Sequence, residues 1–323
     1  MSSTEQVPPA AAAAGTAGGR TLDRDQQRRL RQHRRRRLRR HGRRAYIRSV
    51  YFLPSLATLG NAVCGFAAIY IAAMVAPRST FIAQRDPWAN YLAGHGLTAA
   101  AYLIFMAMVF DALDGRLARF ARHTTDFGGQ LDSLADMISF GAAPAFVALR
   151  LFKLEGPDLP LILSRLVWAM GAMYVSCVAV RLARFNVSNK HGEQHHFSFL
   201  GLPSPGAAGT VAALILMQQE LLRENGPLLQ GLASLCTHAL PILVLATGLL
   251  MVSNLRYPHL VNRYLRGKRS IGRLILVVAI VLMLVAAHQY TLGIGTLAYT
   301  AWGPVAWLMA RLRRLRRHEV AAA

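Results

Sequence analysis

Residues 111–136 read DALDGRLARFARHTTDFGGQLDSLAD, and this stretch joins the ends of two apolar segments, each long enough to cross a bilayer. Four of its five aspartates, Asp111, Asp114, Asp132 and Asp136, fall at or near the ends of those segments. An aspartate at the centre of a spanning helix costs roughly 2.5 to 3.5 kcal/mol on insertion scales, and even at interfacial depth four uncompensated carboxylates are hard to retain. A cation must hold them. The fifth, Asp126, falls in the connecting turn, where solvent keeps it charged at little cost.

Helical spacing says how the four meet. Asp111 and Asp114 are three residues apart and Asp132 and Asp136 four apart, so each pair lies on one face of its helix. A short polar turn around His123, Thr124 and Thr125 joins the helices as antiparallel neighbours, letting the two pairs converge at one membrane level. Two divalent ions would balance four carboxylates, and hard oxygen ligands select Mg²⁺ or Mn²⁺ over zinc. Gly115 and Gly128 leave room for a ligand or a neighbouring backbone, and Ala118 keeps the same face shallow. Arg119 follows Gly115 by about one helical turn, so its guanidinium can reach over that space and fork onto phosphate. An isolated intramembrane aspartate can simply pair with an arginine, and a lone DxxDG can be a helix-end turn. The complete pattern D-x2-D-G-x2-A-R-x8-G-x3-D-x3-D is beyond the reach of chance in one chain.

Working outward, hydrophobic residues make up 54% of the 323, more than an ordinary soluble domain carries. The excess belongs in lipid. Apolar stretches near 54–76, 97–120, 129–152, 160–182, 203–222, 236–254, 271–288 and 292–310 predict an all-α polytopic transmembrane bundle of about eight crossings. Cys64, Cys177 and Cys236 lie in or beside these stretches at spacings that suit neither a zinc site nor a disulfide framework. They read as small core residues.

The net charge of +22 is concentrated at one end: residues 20–48 hold fourteen arginines. With the Ala/Gly/Pro-rich residues before them, they read as a disordered, arginine-rich cytoplasmic segment, 1–48. No uninterrupted apolar core of a cleavable signal is found there, so the first span is expected to be a permanent anchor. The basic run is a topology signal resting on anionic membrane lipids. Nucleic-acid binding is disfavoured, because Tyr46 is the one aromatic in the run and stacking residues are wanting. An even number of crossings returns the basic C-terminus, with Arg311, Arg313, Arg314, Arg316 and Arg317, to the same side. The loops sharing that side are richer in arginine and lysine than those opposite, as the positive-inside rule requires.

The signature resembles that of the CDP-alcohol phosphotransferase family at every specified position. The resemblance implies a six-helix core, a homodimer, and a binuclear metal site that binds the diphosphate of a CDP-lipid at the cytoplasmic surface. By position, Asp111 and Asp132 would bridge both metals, Asp114 would complete the first site, and Asp136 would touch the second and serve as general base. Gly115, Arg119 and Thr125 match positions that contact the CDP moiety. Such a site performs an in-line displacement at the lipid-bearing phosphorus. The organisation expected is 1–48, a membrane core over 49–257, and a two-helix extension with a basic tail over 258–323.

LPSLATLGNAVCGFAAI at 53–69, SFGAAPA at 139–145, RLARFNV at 181–187 and FLGLPSPGAAG at 199–209 are similar to the bacterial, membrane-embedded branch of that family that takes L-serine as acceptor and CDP-diacylglycerol as donor. The resemblance implies residence in the bacterial inner membrane. Arg181 and Arg184, three apart, could hold a phosphate or the serine carboxylate, or serve as positive-inside anchors. Asn186 reads as an interfacial cap or a neutral donor to the acceptor. Pro203 and Pro205 start a helix that Ser204 could cap. Thr58 and Asn61, in the first crossing, fit either nucleotide or lipid contact or ordinary interhelical hydrogen bonding. His191, Glu193, His195 and His196 read as a solvated loop. Another acceptor, such as glycerol phosphate or inositol phosphate, shares the signature. A cation transporter also clusters carboxylates, but near the bilayer midplane on broken helices.

Overall fold

A computed structural model describes residues 56–76, 87–121, 126–190, 198–224, 226–258 and 271–322, all within one packed unit, Tyr51–Ala323. The arginine-rich segment, Thr125 and the histidine loop lie outside the described residues, as do the side chains of Ala118, Arg119 and Asp126.

Helices form at each of the eight expected stretches. α1 spans Leu56–Met74 and α2 Pro87–Ala121. The third rod is continuous but not uniform: α3 (Asp126–Asp136) runs into a wider π-helical turn, Met137–Ala142, and then α4 (Ala143–Glu155). α5 covers Leu161–Lys190, α6 Ser204–Arg223 and α7 Pro227–Val252. α8 (Ile271–Ala286) and α9 (His288–Ala322) complete the bundle. α7 starts earlier than the apolar run suggests because Pro227 opens its first turn, where a missing N–H costs nothing.

Among the described residues, five segments are long and apolar enough to cross a membrane: Leu56–Met74, Gly94–Leu117, Phe127–Glu155, Leu161–Val187 and Pro227–Val252. The chain is an integral membrane protein. α6 carries more polar residues because most of its surface meets protein: it packs against α2, α7 and α9 and buries Thr210, Gln218 and Gln219. Each finds a partner within the bundle. Thr210 shares a 2.8 Å hydrogen bond with Thr300 of α9, Gln218 donates to Thr237 of α7 at 3.1 Å, and Gln219 donates to Gln218 at 2.8 Å. α8, at 16 residues, is shorter than the roughly 20 needed to span unaided.

The core is built from small side chains. Ala68, Ala72, Ala100, Ala101, Ala107, Ala143, Ala207, Ala208 and Ala212 are buried with Ile104, Phe140, Val178 and Tyr174, so the helices approach closely where lipid offers no hydrophobic drive to associate. Cys64 and Cys177 are buried, Cys236 is half-buried, and all three are free thiols, as expected of packing residues. At the far end of the third rod, Arg150 Nη2 donates to the Val75 carbonyl that ends α1. A cation there complements the negative end of the helix dipole.

Two three-residue strands interrupt the helical pattern. β1 (Ser198–Leu200) pairs antiparallel with β2 (Arg256–Pro258), with Phe199 opposite Tyr257. Gly201 follows β1 with φ of +80°, a conformation that only glycine adopts without strain. Its N–H donates to Leu255 O at 2.8 Å and that of Leu202 to Leu250 O at 3.0 Å. The entry to α6 is thereby pinned to the end of α7.

Candidate active site

The third rod and α2 bring the acidic side chains together as their spacing predicts. One carboxylate oxygen from each of Asp111, Asp114 and Asp132 lies within 4.8 Å of the others. Asp136 is not one of the three, but it interacts electrostatically with all of them. Asp114 and Asp136 are 5% and 8% exposed, while Asp111 and Asp132 are half-buried. Like charges this close, in a medium that screens poorly, cannot all remain ionised without a counter-cation.

α1 closes one side of the cluster. Thr58 Oγ1 donates to Asp114 Oδ2 at 2.9 Å, and Asn61 Nδ2 donates to Asp136 Oδ1 at 3.0 Å. Both side chains make interhelical hydrogen bonds, and these are directed at the acidic residues. Thr58 and Asn61 are one helical turn apart, so a single face of α1 serves both helices that carry aspartates.

The π-helical turn explains how Asn61 gets there. Ser139 Oγ shares its one hydrogen between the Asn61 carbonyl at 2.8 Å and Ala135 O at 3.0 Å. A Cβ on Gly65 would sit 2.6 Å from Ser139 Cα and Oγ, so only glycine permits this approach of α1. Tyr174 Oη from α5 donates to Phe140 O at 2.8 Å, satisfying a carbonyl of the turn. Isolated π-helical turns concentrate at functional sites, and this one begins directly after Asp136. Ser139 was not read from the sequence as a site residue. Its signal was a small hydroxyl three residues beyond the last aspartate.

The donor set fits a hard divalent cation. Asp132 Oδ1 and Asn61 Oδ1 are buried and lack a hydrogen-bond partner, an arrangement that is costly unless something else satisfies it. Hard oxygen donors are what Mg²⁺ and Mn²⁺ prefer. Beside the cluster, a Cβ on Gly115 would meet nothing within 4 Å, which leaves the open space the sequence suggested.

On α5, Arg181 and Arg184 part company. Arg184 is exposed. Arg181 is half-buried, donates from Nε to Leu202 O at 2.8 Å and from Nη1 to Ser204 Oγ at 3.4 Å, and interacts electrostatically with Asp136 and with Arg184. Ser204 therefore accepts from an arginine instead of capping α6, whose N-cap is Pro203 with no side-chain cap. Asn186 lies within α5, so it is not a cap. Its Nδ2 donates to Ser133 Oγ of α3 at 2.9 Å, bracing the helix that carries Asp132 and Asp136. Arg119 sits on the last turns of α2.

Residues 51–249 match the family described as CDP-alcohol phosphatidyltransferase. A CDP-diacylglycerol–serine O-phosphatidyltransferase of Helicobacter pylori is 28% identical over 83% of this chain and 95% of its own length. The protein of that name from Bacillus subtilis is 26% identical over 64% of this chain and 90% of its own. The one from Methanocaldococcus jannaschii is 32% identical over 50% of this chain and 64% of its own.

Proposed function

Because the chain belongs to the CDP-alcohol phosphatidyltransferase family, we propose that it transfers the phosphatidyl group of CDP-diacylglycerol to the hydroxyl of L-serine, forming phosphatidylserine and releasing CMP. The observation that carries this reading is the approach of Asp111, Asp114 and Asp132 to within 4.8 Å, with Asp136 beside them. The serine acceptor is supported by the names of the similar proteins.

Asp111, Asp114, Asp132 and Asp136 would hold two divalent ions, Mg²⁺ or Mn²⁺. Such ions, when bound, neutralise the diphosphate and stabilise the departing CMP. The chain's own residues do the rest. Asp136 takes the proton from the serine hydroxyl as its oxygen bonds to the lipid-bearing phosphorus and the bond from that phosphorus to CMP breaks. Asn61 holds one oxygen of Asp136 through a 3.0 Å hydrogen bond, which leaves the other for the acceptor. Thr58 holds Asp114 in the same manner. The open space at Gly115 admits the cytidine diphosphate, with Arg119 and Thr125 contributing contacts. Arg181, held at two points, offers its remaining N–H groups to the serine carboxylate, with Arg184 and Asn186 nearby.

In this reading the core over 49–257 works as a homodimer in the bacterial inner membrane, the extension is 258–323, and the acidic end of the bundle faces the cytoplasm. The distribution of basic residues supports the orientation.

Purified protein in detergent, given CDP-diacylglycerol, Mg²⁺ and one alcohol at a time, is expected to release CMP fastest with L-serine. Equal turnover with glycerol phosphate would overturn the acceptor assignment. Asp136→Asn is expected to abolish transfer and retain CDP-lipid binding.

A further inference from the structure

The C-terminal extension lies beyond the 51–249 match to the family, yet it is knitted into the wall that holds Arg181. The entry to α6 supplies both acceptors of Arg181, the Leu202 carbonyl and the Ser204 hydroxyl. The ring of Tyr299, from α9, lies against this same first turn: a Cβ on Gly206 would meet Tyr299 Cε1 at 3.4 Å. On its other side Tyr299 packs on Tyr257 of β2, ring centroids 5.7 Å apart at 53°. Tyr257 is fully buried and donates to the Thr300 carbonyl at 3.0 Å, and Gly303 leaves the space its ring occupies. Thr210 of α6 bonds Thr300 at 2.8 Å. Tyr299 is thus clamped between the β1–β2 ribbon and the first turn of α6, the turn whose entry supplies both acceptors of Arg181.

A guanidinium has five N–H donors. Two of those on Arg181 are used by Leu202 and Ser204, which fixes the plane of the group while leaving donors for an anion.

We propose that Tyr299 is a positioning residue for acceptor recognition: its ring buttresses the first turn of α6 and so holds in place the two acceptors that orient the Arg181 guanidinium toward the acceptor's carboxylate. This rests on the proposed role of Arg181 in binding the acceptor. Tyr299 acts through the α6 turn and Arg181, so its loss weakens the acceptor and spares the CDP-lipid. A residue that merely filled space would instead disturb both substrates alike.

The test is steady-state CMP release by the full chain in detergent, varying L-serine and CDP-diacylglycerol separately, for wild type, Tyr299→Leu, Arg181→Lys and the double variant. Tyr299→Leu, which removes the ring, is expected to raise KM for serine about fivefold with KM for CDP-diacylglycerol unchanged, and Tyr299→Phe, which keeps the ring, leaves both KM values unchanged. Arg181→Lys raises KM for serine further, and the double variant is no worse than Arg181→Lys alone. An unchanged KM for serine in Tyr299→Leu overturns the proposal, as do equal rises in both KM values or additive effects in the double variant. If wild type prefers another alcohol, the serine assignment falls by itself, and the same comparison with that alcohol decides the role of Tyr299.

Discussion

Asn61 on α1 donates to Asp136 on α3 across 3.0 Å, and its own backbone carbonyl accepts from Ser139, three residues beyond Asp136. The two helices are thereby locked at one point by a hydrogen bond in each direction. A side chain held from both ends in this way sets where the carboxylate points. Asn61→Leu is expected to lower kcat by roughly tenfold to hundredfold, the scale of one hydrogen bond to a charged group, with a smaller change in either KM. CMP release at saturating substrates measures it, and a kcat equal to that of wild type would remove Asn61 from the site.

Clustered like charges make a second prediction with a definite sign. In chelator the four carboxylates repel one another, so Asp132→Asn, which removes one charge at a buried oxygen without a partner, is expected to raise Tm. A gain of about 1 kcal/mol corresponds to about 2 to 4 °C in a chain of this size. Adding Mg²⁺ or Mn²⁺ then stabilises wild type and not the variant. Thermal unfolding with and without the ions reads both effects, and EDTA is expected to end CMP release until either ion is restored.

Gly65→Ala introduces a Cβ 2.6 Å from the Ser139 backbone. Neither helix can yield by rotating a side chain, so α1 must move. A loss of about 1 to 3 kcal/mol is expected from overpacking. Activity should fall further than stability implies, because Thr58 and Asn61 move with the helix. Denaturation and CMP release on the same preparation compare the two.

Tyr174→Phe serves as a contrast. Its hydroxyl donates to Phe140 O at 2.8 Å from a fully buried position, away from the carboxylates. Leaving that carbonyl unpaired is expected to cost about 1 to 3 kcal/mol while both KM values hold. A selective rise in one KM would mean that the π-helical turn transmits to the site.

The four aspartates were legible because their spacing is a property of a single helix, i to i+3 or i+4, and because charge in an apolar run demands a reason. The eight helical stretches were legible for the same reason, hydropathy being local. Pairing across helices was not. That Thr58 and Asn61 bond to Asp114 and Asp136 is visible only with α1 set against α2 and α3. Ser204 looked like a cap because Pro203 and Pro205 flank it, and its true partner, Arg181, comes from another helix. Tyr299 carried no signal at all: a tyrosine in an apolar stretch has nothing in its neighbours to say which helix its ring will pack against.

The wider turn at Met137–Ala142 has a consequence for the whole rod. One extra residue in a helix of 3.6 per turn advances the sequence by about 100° around the axis. The stripe that carries Asp132 and Asp136 is therefore out of phase with the stripe that continues along α4. The segment can present acid to its neighbours at one end and alanine, valine and leucine to them at the other without bending. Deleting a single residue from the turn would restore regular phase and rotate one end against the other, so the segment tolerates substitution there far better than a change in length.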